Sequence, residues 1–250
     1  MLETRGLTVR FGGQAAVDGV TCAFHRGTLT AIVGPNGAGK TTFFNLISGQ
    51  LRATAGDVFL SGARITTLPA SRRARRGLGR AFQLTNLFPD LSVLENVRLA
   101  VQAQAGIGLD FLGLAARHTA LHDRAMAVLE RVNLASRAAV PAAALSHGDQ
   151  RKLEVAILLA MQPRIFMFDE PTAGMSVDEV PVILDLIEAI RQDRDRTILL
   201  VEHKMDVVRR LADRVIVLHQ GRLAADGAPE DVVASAVVQE AYLGVRAGDV

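Results

Sequence analysis

Several things are missing from this sequence of 250 residues, and each absence closes a class of function. There is no tryptophan and a single cysteine, Cys22. One cysteine excludes an internal disulfide and suits a reducing compartment. Cys22 itself reads as a small buried filler. Although 49% of the residues are hydrophobic, no uncharged apolar run reaches the roughly 18 residues that a bilayer-spanning helix needs. The opening residues, Met-Leu-Glu-Thr-Arg-Gly, lack the apolar region of a secretion signal. Charge of one sign is lacking too, since 28 Lys and Arg face 26 Asp and Glu. The one dense basic run, Arg72-Arg73-Ala74-Arg75-Arg76, has no aromatics between its charges. It reads as a solvated helix face, and a nucleic-acid platform finds no support. No internal repeat is present, and the length fits one α/β domain with a subdomain.

What is present is organised around residues 28–48. Residues 29–33 form an apolar, β-branched run of the kind that makes a buried strand. Gly34, Gly39, Lys40 and Thr41 then fit G-x-x-x-x-G-K-[ST], and an amphipathic helix follows through Phe43, Phe44, Leu46 and Ile47. Strand, glycine loop and helix in succession aim a row of backbone N–H groups and a positive helix end at one spot. A triphosphate fits that spot, with Lys40 reaching the β- and γ-phosphates and the Thr41 hydroxyl on Mg²⁺. A mere flexible turn before a core helix accounts for the glycines but not for a Lys and two Thr.

Ahead of this loop, residues 7–11 and 20–24 read as strands of an antiparallel entry sheet. Phe11, just before Gly12-Gly13, can pack at the sheet edge or offer a face to an adenine ring. Behind the loop, strands are expected over 56–60 and 78–82. A helical pattern follows over 86–144, with Ser92 and Glu95 as a capping box and a second helix near 119–132. Residues 107–116 between them are Gly-rich and irregular. A helix over 150–161 ends at Pro163. Residues 165–168 then make a fully apolar strand that runs into Asp169 and Glu170. Two carboxylates at the end of a buried strand are costly unless an ion or ligand uses them. Asp169 is placed to hold Mg²⁺ and Glu170 to polarise an attacking water. A helix over 180–191, a strand over 197–201 and Glu202-His203 come next. His203 can hydrogen-bond a γ-phosphate, while His25, His118, His122 and His219 have only surface or packing readings. A helix over 205–212, a strand over 215–218, a hairpin at Gln220-Gly221 and a helix from Pro229 to 243 complete the chain.

Residues 34–41, 145–150 and 165–170 together resemble the ATP-binding subunit of an ABC transporter, a likeness that covers essentially the whole chain. Leu145-Ser146-His147-Gly148-Asp149-Gln150 resembles the family's Leu-Ser-Gly-Gly-Gln signature, with Ser146 placed 23 residues (169 − 146) before Asp169. The resemblance implies a single nucleotide-binding domain over 1–250, an α/β P-loop NTPase with a mixed-sheet core, an antiparallel N-terminal β subdomain and an inserted helical subdomain. It puts the core at 1–83 and 163–250 and the helical, signature-bearing part at 84–162. It further implies ATP and Mg²⁺. Phe11 would stack on adenine, and Gly34, Asn36, Gly37, Gly39, Lys40, Thr41 and Thr42 would hold phosphates. Thr41, Gln83 and Asp169 would attend the metal, and Glu170, His203 and Gln83 the chemistry. Ser146 and Gly148 would reach the γ-phosphate of a partner's ATP.

The implied partners are integral membrane permease subunits, a second ABC ATPase subunit (identical or paralogous), and a periplasmic or extracellular solute-binding protein acting through the permease. No nucleic acid is implied. The implied place is peripheral, on the cytoplasmic face of the inner membrane. Within the family, residues 82–88, 170–175 and 238–244 resemble importers of branched-chain and other hydrophobic amino acids. The Leu-Ser-His-Gly opening also resembles the urea and short-amide branch. A soluble ABC ATPase acting on nucleic acid or ribosomes is the alternative from another class, although such proteins usually carry two fused cassettes or long inserts. A small-molecule kinase would have no use for the signature. The chain departs from the family at His147, at Asp149, and at Ser176, where the family often has Asp. The last departure implies weak coupling between paired sites.

Overall fold

The computed structural model describes residues 1–81, 87–107, 115–233 and 235, without the side chains of 115–118 and 233. It divides into two units. The first comprises Met1–Leu78, Arg164–Glu170 and Ile190–Val250, and the second Gly79–Pro163 and Pro171–Ala189.

The first unit opens with two long strands, β1 (Leu2–Phe11) and β2 (Gln14–Phe24), paired antiparallel. Both start earlier than the apolar runs at 7–11 and 20–24. In β1 the reason is a polar residue on the inner face: Thr4 is buried beside Leu2, and its Oγ1 accepts from the Cys22 N–H at 3.1 Å. β2 begins earlier because Gln14, Ala15 and Val17 pair with Phe11, Arg10 and Val9 across the turn. Next come the fully buried β3 (Leu29–Val33), α1 (Lys40–Ser48), β4 (Ala55–Leu60) and the two-residue β5 (Ala63–Arg64). Phe43 and Phe44 of α1 are wholly buried, and Phe43 meets Phe24 of β2 with ring centroids 6.5 Å apart. Burial of a phenylalanine side chain contributes about 1.5–3 kcal/mol, so these rings fasten the helix behind the glycine loop.

The short helix α2 (Ala70–Arg75) carries the basic run. The solvated-face reading fails for Arg73, which is 2% exposed. Its guanidinium donates to the carbonyls of Leu46 and Ile47 (2.7 Å each), Thr66 (2.6 Å) and Leu68 (3.0 Å). Leu46 and Ile47 lie in the last turn of α1, where carbonyls lack intrahelical partners and a cation meets the negative end of the helix dipole. A five-donor planar fork suits four converging carbonyls. Burial pushes the guanidinium down to about 10, still far above neutrality.

The chain crosses into the second unit within β6 (Leu78–Ala81). There α3 (Val93–Gln104) is capped by Ser92, whose Oγ accepts from the Glu95 N–H at 3.1 Å. Only half of the expected capping box is built, because the Glu95 carboxylate turns to Arg98 (2.7 Å). Helix α4 (Ala115–Arg131) buries Leu121, Ala125 and Leu129. Helix α5 (His147–Ala160) begins three residues before the predicted start, since Ser146 caps it by accepting from the Asp149 N–H at 3.1 Å. The three helices contact one another.

The chain then forms β7 (Ile165–Asp169), α6 (Val180–Arg191), β8 (Thr197–Val201), α7 (Met205–Leu211), β9 (Arg214–His219), β10 (Arg222–Gly227) and α8 (Pro229–Val233). The helix expected to run on to 243 lies, beyond α8, outside the described residues. Strands β2-β1-β4-β5 form an antiparallel sheet, and β10-β9-β3-β8-β7-β6 a mixed one. In the second sheet β3, β7, β8 and β9 run parallel while β10 is antiparallel to β9. Ile32 pairs with Val201, and Val201 with Asp169, so β3, β8 and β7 end along one edge. Open α/β sheets place ligands at that edge.

Candidate functional site

The loop that leaves β3 is shaped by two glycines. A Cβ on Gly34 would stand 2.1 Å from the Leu218 carbonyl oxygen, and one on Gly39 2.4 Å from that of Ala16. Both residues have positive φ, 151° and 96°. Only glycine lets the loop lie this close to β9 and β2. The β9–β10 turn braces the same loop, as the Gly221 N–H donates to the Ala38 carbonyl at 3.0 Å. Asn36, Gly37 and Thr41 are exposed and Thr42 half-buried, which leaves the loop open to a ligand.

Lys40 is 8% exposed. Its Nζ donates to the carbonyls of Gly34 (2.7 Å) and Pro35 (3.0 Å), so two of its three donors hold the loop and one remains for a phosphate. Burial lowers its pKa, while the nearby Glu170 and Asp169 carboxylates favour the charged form. Asp169 ends β7 at 2% exposure. Glu170 follows with φ 49°, a left-handed conformation that is strained for a glutamate. Its N–H donates to the Val201 carbonyl at 3.0 Å, which fixes the turn. His203 Nδ1 lies 3.9 Å from Glu170 Oε1 and 3.9 Å from Glu202 Oε2. Glu202 is fully buried and accepts from the N–H groups of His203 (3.0 Å) and Lys204 (3.3 Å). It orients the His203 backbone, a role no sequence signal set apart from that of an ordinary acid.

Lys40, Asp169, Glu170 and His203 thus gather on one edge of the parallel strands, behind the glycine loop. The donors there are all oxygen, the Thr41 hydroxyl and the Asp169 carboxylate, a set that suits Mg²⁺ held by one carboxylate plus phosphates. Phe11 is 55% exposed at the end of β1, with part of its surface open to a ligand. Gln83 lies outside the described residues.

Ser146 and Gly148 belong to the second unit, at the N-terminus of α5. Asp149 beside them is paired, with Lys152 Nζ at 2.8 Å and Arg137 Nε at 3.4 Å from its oxygens. Further along α5, burial raises the Glu154 carboxyl, while Arg151 at 2.7 Å favours its ionised form.

A family model described as ABC transporter matches residues 17–173. The chain is 40% identical over 251 residues to the high-affinity branched-chain amino acid transport ATP-binding protein LivG of Escherichia coli (strain K12), covering 98% of each. It is 38% identical to the corresponding protein BraF of Pseudomonas aeruginosa, with the same coverage. Its structure resembles the ADP conformation of MJ1267, an ATP-binding cassette of an ABC transporter, with TM-score 0.83 and 26% identity over 98% of this chain and 99% of that one. It also resembles the dimeric post-hydrolysis state of the cassette MJ0796 bound to ADP and Pi, with TM-score 0.79 and 25% identity over 92% and 99%. The chain belongs to the ABC transporter family, as one of its ATP-binding, ATP-hydrolysing cassettes.

Proposed function

We propose that this cassette powers a membrane importer for branched-chain or other hydrophobic amino acids. The observation that carries the hydrolytic part is the meeting of Lys40, Asp169, Glu170 and His203 behind the glycine loop. The solute class rests on the likeness to LivG and BraF along almost the full length of each.

Phe11 stacks on adenine, and the loop amides from Gly34, Asn36, Gly37 and Gly39 to Thr42 receive the phosphates. Lys40 brings a buried cation to the β- and γ-phosphates. Glu170 takes the proton of a water that attacks the γ-phosphorus, as the bond to the β-phosphate oxygen breaks and ADP leaves. His203, held beside Glu170, donates to a γ-phosphate oxygen. Mg²⁺, attended by Thr41, Asp169 and Gln83, would neutralise charge on the phosphate oxygens. Ser146 and Gly148 serve the γ-phosphate of a second cassette, so two chains meet head to tail around two nucleotides. The cassette docks on permease subunits at the cytoplasmic face of the membrane, and a solute-binding protein acts through those permeases.

The test is copurification of the tagged chain from membranes, followed by uptake in reconstituted vesicles. Recovery with an integral membrane permease and ATP-dependent uptake of leucine or valine is expected. Uptake of urea in place of these amino acids would overturn the solute class. Recovery with ribosomes or nucleic acid, and no permease, would overturn the importer.

A further inference from the structure

The first turn of α5 has no side chain at Gly148, and Glu179 uses the space. A Cβ added to Gly148 would stand 1.8 Å from Glu179 Oε1 and 2.4 Å from Oε2. The carboxylate is held from behind. Glu179 Oε2 accepts from the Ser176 N–H at 3.1 Å and from the Ser176 hydroxyl at 2.9 Å. Ser176 therefore serves as a clamp on Glu179; an aspartate there would set two carboxylates against each other. Asp149, the other acid near this turn, is occupied by Lys152 and Arg137. A helix N-terminus favours an anion through its unpaired N–H groups and its dipole. The Glu179 carboxylate places an anion beside this turn, against the Gly148 Cα.

We infer that Glu179 is a positioning residue whose carboxylate competes with the γ-phosphate of the partner's ATP for the N-terminus of α5, so that two cassettes close on nucleotide only after it swings aside. This rests on the reading of Ser146 and Gly148 as the γ-phosphate contact. The competition is electrostatic and steric at once. A carboxylate and a triphosphate repel strongly where water is excluded, and Glu179 already fills the space over the bare Gly148 Cα.

The test uses the full chain carrying Glu170→Gln, so that ATP is not consumed, and follows pairing by light scattering as ATP is raised. Glu179→Gln leaves an oxygen for Ser176 and removes the charge. It is expected to pair at about tenfold less ATP than the Glu179 parent, or at concentrations where the parent stays monomeric. ATP affinity of the monomer, read by nucleotide titration, should not move. Association caused by damaged folding would not depend on ATP, so scattering without nucleotide serves as the control. Pairing no easier than in the parent, including the case in which neither protein pairs, overturns the proposal. Ser146→Arg in the otherwise parental chain separates the two failures. If it lowers turnover while Glu179→Gln changes nothing, the competition alone is wrong. If turnover is indifferent to Ser146→Arg, the γ-phosphate reading of this turn is wrong.

Discussion

Replacing Arg73 by methionine keeps an apolar stem in place and removes a guanidinium bound to four carbonyls. Hydrogen bonds from a charged group contribute about 1.5–3 kcal/mol each, so four give a gross value of about 6–12 kcal/mol. The desolvation of a buried cation, several kcal/mol, offsets much of this. Loss of the side chain also strands the carbonyls of Thr66 and Leu68 and uncaps the last turn of α1 at Leu46 and Ile47. A net loss of about 3–5 kcal/mol is expected, the range for breaking a buried charged contact. At about 2–4 °C per kcal/mol for a chain of this size, Tm falls by about 6–20 °C. Arg73→Lys should recover only part of this, because one ammonium cannot span all four carbonyls. Circular dichroism melts of the three proteins at neutral pH give the answer. A Tm for Arg73→Met within about 2 °C of the parent would show that the guanidinium is solvated and that the account of the α1 end is wrong.

Lys40→Ala removes one charge-assisted phosphate contact and two braces of its own loop, so ATP should bind roughly 10- to 100-fold more weakly. Nucleotide titration that shows unchanged affinity, together with unchanged turnover, removes Lys40 from the site. Hydrogen bonds from Arg98 hold the Glu95 carboxyl below its ordinary value of 4.5. The folded form thus binds this proton more weakly than the unfolded chain, so the stabilisation is complete above 4.5 and fades as pH falls below it. Melts of Glu95→Gln against the parent should differ at pH 7 and draw together as the pH falls below 4.5, and a constant difference would contradict the pairing. Mixing Glu170→Gln with Ser146→Arg chains leaves one intact composite site in each mixed dimer, so ATPase activity should partly return. No recovery despite demonstrated mixed dimers counts against sharing across the interface.

Strong periodicity made much of the fold legible. Residues 180–191 and 197–201 form the helix and strand expected of them, and residues 29–33 the buried strand before the glycine loop. Legibility failed where a polar side chain does the work of an apolar one. Thr4 faces inward in β1, so the strand extends past its apolar run. Arg73 looks like its exposed neighbours in a basic run, and only the convergence of four carbonyls, 5 to 27 residues away in sequence, distinguishes it. The start of α5 was hidden by His147, Gly148 and Asp149, which have low helix propensity, and is set by the Ser146 cap. Within the site, Lys40, Asp169, Glu170 and His203 could be named from motif and strand ends. Glu202 could not, because its partners are backbone N–H groups, which leave no trace in residue type. Ser176 and Glu179 have the spacing of a capping box, but nothing in residue type shows that the carboxylate lies against Gly148.

The central claim is that this edge of the sheet hydrolyses ATP with Glu170 as the group that activates water. Glu170→Gln keeps the size of the side chain and removes its basicity. With the parental chain and the variant assayed side by side, ATP binding should be retained and turnover should fall by about 10²-fold or more. Hydrolysis by the variant at the parental rate would contradict the account.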